Sequence, residues 1–346
     1  MTQYVGLDVS LKEVSICVVD GDGNVLNRAS VPTEPDTIAE YLAQKAPHVE
    51  RVVHESGILA TWLTRELERR GIPITCLDAR MAHKALSARL NKSDKADAEG
   101  LAQLARTGWF TKVHIRSETS DKVRALTAAR ERLIRMRKDL EAHVRGVLKT
   151  FGIRMGPVLK AQHRQGFRDQ LAEAGSTDPM LDLVAQTMIP IHKKLCASAE
   201  ALGDELMHVA KQSTLARRLM SVPGVGPLVA LNFIATIDDA SRFRRSTDVG
   251  AFLGLTPRRY QSGEIDRSGR ISKCGDAEMR RLLVSAATSL MTQVRRFSPL
   301  KSWAIRLSAR KGFKKAAVAT ARKIAVILHA IWRDGTEFTW TKEPVI

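Results

Sequence analysis

The chain is poor in aromatic residues, 5% of its 346, and its four cysteines, Cys17, Cys76, Cys196 and Cys274, stand far apart. That spacing excludes both the paired thiols of a zinc ribbon and the dense disulfide framework of a small secreted domain, so the cysteines are expected to be reduced and structural. No apolar run approaches the roughly 18 residues of a membrane-spanning helix. The opening MTQYVGLDVSLKE carries an acid and no basic start, so no signal peptide is expected and a cytoplasmic protein is. No P-loop, Rossmann fingerprint or Ser/His/Asp hydrolase arrangement is found, and the GVG at 224–226 lacks the strand and the later glycine that a dinucleotide site requires. Acidic residues are also short in supply. Against 55 Lys and Arg there are 37 Asp and Glu, a formal net charge of +18, which points to a polyanionic partner, nucleic acid before membrane.

What is present is enough for two or three domains with a sizeable core, since 44% of the residues are apolar. The charge is unevenly spread. Residues 1–120 hold 15 basic and 16 acidic side chains, residues 121–239 hold 18 and 13, and residues 240–346 hold 22 and 8. The last third is therefore the expected polyanion-binding part.

The runs YVGLDVS, EVSICVVD and VLNRASVP read as three strands, with DGDGN a hairpin signal between the second and third. A helix near 36–46, a strand RVVHES, a helix near 59–70, a strand IPITCLDA and an Ala/Leu-rich helix over 94–107 follow. This order is that of an RNase H-like domain. Leu126, Leu133, Leu140 and Val147 are spaced by sevens, and Met188, Ile191, Leu195, Leu202, Leu206 and Val209 keep a similar period, which predicts two long helices paired as a hairpin or coiled coil. Residues 152–180 give no clear signal. VPGVGPLVA, from 222, resembles a helix-hairpin-helix turn able to bring backbone N–H groups to a phosphate, although a plain turn between packed helices fits nearly as well. Helices are expected over 276–294, 299–310 and 314–333. The fold class is α/β plus α, with domains at 1–115, 116–214 and 215–346.

Four carboxylates stand out. Asp8 lies inside the first strand between Leu7 and Val9, where an unpaired charge is costly. Glu55 ends the strand RVVHE, and Asp94 and Asp97 sit three apart at a helix start. Singly, Glu55 reads as a solvated strand end, Asp94 as a helix cap and Asp97 as an ion-pair partner. Together, in an RNase H-like arrangement, they would converge, and converging acids need a hard cation such as Mg²⁺ or Mn²⁺.

The polar segment GLTPRRYQSGEIDRSGRISKCG, 254–275, reads as an irregular loop, either a surface connection or a place where a phosphodiester is gripped. Ser262, Tyr260, Ser268 and Ser272 are its hydroxyls, and a turn role is the common fate of a serine before glycine. Arg258, Arg259, Arg267, Arg270 and Lys273 are candidate phosphate contacts.

With GLDVS, VHESG, NKSDKADAEGLA, VPGVGPLVA, FLGLTPRRYQSG and GRISKCGDAEMRRLL in hand, the chain resembles the transposases of the insertion-sequence one-ten family, the RNA-guided DNA recombinases. The resemblance spans nearly the whole length. It implies an N-terminal DEDD domain of Holliday-junction-resolvase type, with Mg²⁺ on Asp8, Glu55, Asp94 and Asp97. It also implies a dimerising coiled-coil linker and a C-terminal transposase domain in which Ser262 attacks DNA and forms a covalent intermediate. Its implied partners are donor and target DNA, a structured noncoding guide RNA and further copies of the chain, a dimer assembling to a tetramer, with no membrane. Two other functions stay open on the residues alone. One is a junction-type metal-dependent endonuclease that uses water, with Ser262 structural; the other is a non-catalytic RNA- or DNA-binding protein.

Overall fold

In the computed structural model, residues 1–86, 94–262 and 265–340 are described. The chain forms two compact units, Met1–Arg116 and Ser117–Ile346. The first is built on a mixed β-sheet and the second is largely α-helical. Among the described residues no helix is long and apolar enough to cross a membrane.

The first unit runs β1 (Gln3–Val9), β2 (Glu13–Val19), β3 (Val25–Pro32), α1 (Pro35–Lys45), β4 (Val49–Glu55), α2 (Ala60–Arg69), β5 (Ile74–Leu77), α3 (Ala79–Leu86) and α4 (Asp94–Thr107). The sheet order is β3-β2-β1-β4-β5. The first three strands form the expected antiparallel meander, while β4 lies parallel to β1 and β5 parallel to β4. The turn between β2 and β3 is tied by Asp20, whose Oδ1 accepts from the backbone N–H of Asp22 at 2.9 Å and of Asn24 at 2.8 Å. β2 reads as a near-continuous apolar run because both its faces are covered, whereas β3 alternates as an edge strand does.

Alternate residues of the central strands feed two cores. Val5, Leu7, Ile16 and Val52 pack with Ile38 and Leu42 of α1 and Leu63 and Leu67 of α2. On the opposite face, Cys17 and Val19 pack with Ala98 and Ala102 of α4, and Val53 and Leu77 with Leu101 and Ala105. At the crossing of α4 over β1 sits Gly6, where an added Cβ would stand 2.2 Å from the Ala98 carbonyl oxygen and 2.3 Å from the Ala102 nitrogen. Both are main-chain atoms that no rotamer change can move aside. Gly6→Ala is therefore expected to destabilise this unit by about 3 kcal/mol, in the range of overpacking costs, read as a lowered midpoint in urea denaturation.

The second unit continues with α5 (Glu118–Leu148), α6 (His163–Gly175), α7 (Pro179–Gln212), α8 (Thr214–Leu219), α9 (Pro227–Ile237) and α10 (Asp248–Phe252). Then come β6 (Pro257–Ser262), β7 (Ile265–Ile271), α11 (Ala277–Thr292), α12 (Pro299–Lys311) and α13 (Phe313–Asp334). α5 and α7, of 31 and 34 residues, pair along their length, with α6 against α7. The heptad leucines are divided between two cores: Leu140 packs with Val144, Leu148, Phe167 and Leu181, and Leu126 packs into the larger core farther along the chain. Between them lies a buried polar cross-link. His192, fully buried, meets Glu141 Oε1 through Nε2 at 2.9 Å and Arg168 Nη1 through Nδ1 at 3.3 Å. A guanidinium can only donate, so Nδ1 accepts and Nε2–H donates to the carboxylate.

The larger core joins α8, α9, α11 and α13 through Leu219, Phe233, Leu283, Ile324 and Leu328. The glycine turn before α9 faces inward here, since an added Cβ on Gly224 would meet the Ala286 carbonyl oxygen of α11 at 2.4 Å.

The structure corrects the sequence reading at 254–275. The segment expected to be an irregular loop is an antiparallel ribbon, β6 with β7, in register Tyr260↔Arg267, Gln261↔Asp266 and Ser262↔Ile265. A two-stranded ribbon is marginal alone, and here its neck is held by backbone bonds from Ser272 to Thr256 at 2.9 Å and from Lys273 to Gly254 at 3.2 Å. Most of its described side chains are exposed, so no apolar alternation marks it in the sequence.

Candidate functional site

Asp8 and Glu55 occupy neighbouring positions at the ends of two parallel strands. In the β1–β4 register Leu7 pairs with His54, and Asp8 and Glu55 are the next residue on each strand. Side chains alternate across a sheet. Leu7 packs toward α1 and α2, and His54 bonds Thr64 of α2, so Asp8 and Glu55 belong to the α4 face.

The direction of α4 is set by its far end. Gln103 Nε2 donates to the Gly23 carbonyl at 2.8 Å and Arg106 Nη1 to the Gly21 carbonyl at 3.3 Å, so the last turns of α4 lie over the β2–β3 turn. That turn is beside the start of β1, where Tyr4 pairs with Val19. α4 therefore runs against β1, and its first turn, with Asp94 and Asp97, points toward the Asp8–Glu55 edge. Asp97, Asp8 and Glu55 are each half-buried. The Asp94 backbone opens α4, and its side chain lies outside the described residues. Among the described residues no three His, Cys, Asp or Glu stand together as a metal-holding group. The geometry thus joins Asp8 and Glu55 on adjacent strands and aims the first turn of α4 at them. All four candidates supply carboxylate oxygens, the donor type suited to Mg²⁺ or Mn²⁺.

His54 is the residue that sequence reasoning missed. It is fully buried behind Glu55, with Nδ1 at 3.0 Å from the Glu55 carbonyl oxygen and Nε2 at 2.8 Å from Thr64 Oγ1. A carbonyl only accepts, so Nδ1 carries the proton. Burial pushes its pKa down to about 4, which leaves the ring neutral, and Thr64 Oγ1 beside Nε2 also bonds the Ala60 carbonyl of its own helix at 2.7 Å. The ring thus ties the backbone of Glu55 to α2. A histidine flanked by Val53 and Glu55 in VVHES was the available signal.

In the second unit the ribbon carries the other candidates. Arg259 grips Asp266 through two bonds, Nε–Oδ1 at 2.9 Å and Nη2–Oδ2 at 2.6 Å, and the pairing lowers the Asp266 pKa. Such an exposed pair contributes little to stability and can yield to a phosphate. Arg258 donates to the Ser272 carbonyl at 3.2 Å. Arg267 is exposed opposite Tyr260, and Arg270 and Lys273 line a groove at the neck of the ribbon. The Ser262 backbone closes β6 opposite Ile265; its side chain, like that of Ser268, lies outside the described residues.

Residues 216–300 match the family model described as Transposase IS116/IS110/IS902 family, and residues 5–153 match a DEDD transposase model. The chain is 31% identical to the transposase for insertion sequence element IS1111A of Coxiella burnetii, over 95% of this chain and 89% of that protein. It is 32% identical to a putative transposase of Sinorhizobium fredii, over 88% of this chain and 75% of that one. It is 26% identical to the transposase for element IS1328 of Yersinia enterocolitica, over 97% and 98%. Among solved structures it is similar to RuvC of Thermus thermophilus in complex with a Holliday junction substrate, at 17% identity and a TM-score of 0.27, over 33% of this chain and all of that one.

The expectation that Ser262 forms a covalent protein–DNA intermediate is overturned. A hydroxyl at neutral pH needs a base or a cation beside it, and the candidate cation-holding carboxylates, Asp8, Glu55, Asp94 and Asp97, belong to the first unit and not to the ribbon. Residues 5–153 match a DEDD transposase model, which backs the junction-type, metal-dependent alternative better than a serine nucleophile. With two relatives above 30% identity over most of their length and a family model matching in each half of it, the chain belongs to the IS116/IS110/IS902 family of transposases and is an enzyme that acts on DNA.

Proposed function

We propose that the first unit cleaves DNA strands with the help of a divalent cation, Mg²⁺ or Mn²⁺, and that water is the nucleophile. The observation that carries this reading is the placement of Asp8 and Glu55 side by side at the strand ends, with the first turn of α4 directed at them. Asp8, Glu55, Asp94 and Asp97 would hold the cation. A cation bound there supplies Lewis acidity toward the phosphodiester and makes water an effective nucleophile at neutral pH. The residues of the chain do the rest: the carboxylates fix the position of the charge, and His54, neutral and buried, holds the Glu55 backbone in place. Arg258, Arg259, Arg267, Arg270 and Lys273 of the second unit contact phosphates.

The same proposal covers the division of labour and the partners. Residues 1–115 form the catalytic domain, 116–214 a helical region whose α5–α7 pair serves association of copies through a coiled coil, and 215–346 the basic nucleic-acid-binding domain. The turn at 222–227 contributes a helix-hairpin-helix-like element. A structured guide RNA directs the DNA choice, and dimers assemble to a tetramer. RNA sequenced from the purified protein is the check on guidance.

The decisive experiment is cleavage of branched and linear DNA carrying the element ends, with Mg²⁺ and with EDTA. Cleavage is expected only with the cation. Ser262→Ala is expected to keep its cleavage rate within roughly threefold and to leave no protein on the product DNA, as denaturing gels would read. A protein–DNA adduct that disappears in Ser262→Ala would overturn the role of water.

A further inference from the structure

The ribbon's neck, α12 and α13 enclose an open groove of about 1530 Å³, beyond the usual size of a small-molecule pocket. Among the described residues Arg270, Lys273, Lys314, Lys315, Arg322 and Lys323 line it, against a single acid, Glu337. Elsewhere in the chain cations are commonly compensated: Arg28 by Glu99, Arg70 by Asp36 and Glu66, Arg281 by Glu278 and Glu131. Lys323 lies over the Trp303 ring at 4.3 Å. The other five cations are exposed, and none forms an ion pair among the described residues. The floor between them is apolar, formed by one stripe of α13 with Val318, Val326, Ile327 and Ile331. Trp303 and all of α13 lie beyond residues 216–300, where the family model matches.

The geometry points to this groove as a binding site for an unpaired DNA strand. A strand needs cations along its phosphates, and unstacked bases need an apolar or aromatic surface; the rim and the floor offer both at once. Duplex DNA keeps its bases stacked inside and would gain from the rim alone. An acidic peptide would satisfy the charge, but the enzyme acts on DNA, and strand cleavage makes unpaired ends. This inference rests on the DNA substrate of the family and not on the acidic edge of the first unit.

The test is fluorescence anisotropy on the full chain in EDTA, so that its outcome is independent of cleavage. The probes are a labelled single strand of about 20 nucleotides, its duplex and the RNA of the same sequence. In the triple variant Lys314→Glu, Lys315→Glu, Arg322→Glu, single-strand affinity is expected to fall at least about 30-fold and the salt slope by about 2, with a loss on duplex at least about threefold smaller than on the single strand. All three positions are exposed, and an unchanged circular-dichroism melt verifies the fold. Photocrosslinking of a bromouracil-containing strand to the wild type is expected to label Trp303 or α13. Equal loss on duplex and single strand would overturn the proposal, as would no loss at all, crosslinks confined to other segments, or tighter binding of the RNA probe with the same sensitivity to the variant.

Discussion

Asp8→Asn is expected to abolish strand cleavage, lowering its rate by at least about 10³-fold, while the protein stays folded. The amide keeps the shape of the side chain but loses the charge, and a neutral oxygen holds a divalent cation poorly. Removing an outer partner of a metal ligand commonly costs 10–100-fold, so a ligand itself costs more. Stability should change little, because the amide keeps the volume of the carboxylate and still offers an acceptor oxygen. Cleavage assays across Mg²⁺ and Mn²⁺ concentrations, paired with thermal melts, read both quantities. An Asp8→Asn protein that cleaves at the wild-type rate would remove Asp8 from the site and with it the argument for a cation there.

The second large effect concerns pH. His54 has a folded pKa of about 4 against an unfolded value of 6.5, so between those values the unfolded chain binds a proton that the folded chain refuses. The stabilising contribution is complete above pH 6.5 and is lost as pH falls toward 4, at 1.36 kcal/mol for each unit. The expected loss from this residue is about 2 kcal/mol at pH 5 and about 3 kcal/mol at pH 4. His192 and His329 are also shifted down by burial and act in the same direction, so the His54 share is isolated by comparison with His54→Asn. That variant keeps a side-chain amide near the Glu55 carbonyl and does not titrate. Its urea midpoint should fall less steeply between pH 6.5 and 4 than that of the wild type. Parallel curves would mean that the imidazole is solvated and does not anchor Glu55.

The sheet was legible because its strands are short apolar runs separated by strong turn residues, and the acids were legible because charges within such runs are costly. YVGLDVS could be read as a strand with an anomalous Asp8, and β1 is that strand. What could not be read was anything decided by contact between distant segments. Gly6 looks like an ordinary strand glycine until α4 is laid across it. The β6–β7 ribbon lacks a buried face, so its Arg, Ser and Gly pattern resembles a loop, and only the bonds from Ser272 and Lys273 hold its neck in register. α6 was hidden for a related reason: Phe167, Leu171 and Ala174 supply few apolar positions among Gly, Gln and charge, and they become a stripe only against α7. The helical hairpin was anticipated, but its buried line includes Arg137, Glu141 and His192, polar residues that no count of leucines would put in a core.

The close seat of α4 on Gly6 has a consequence for how the acidic edge tolerates change. Because main chain rests on main chain there, the spacing between helix and sheet is set by atoms common to every residue type. Truncation at Leu101 can alter how firmly the helix is held, but it has little leverage over how far Asp97 stands from the strand ends. The gauge of the site is thereby separated from the composition of the layer beneath it.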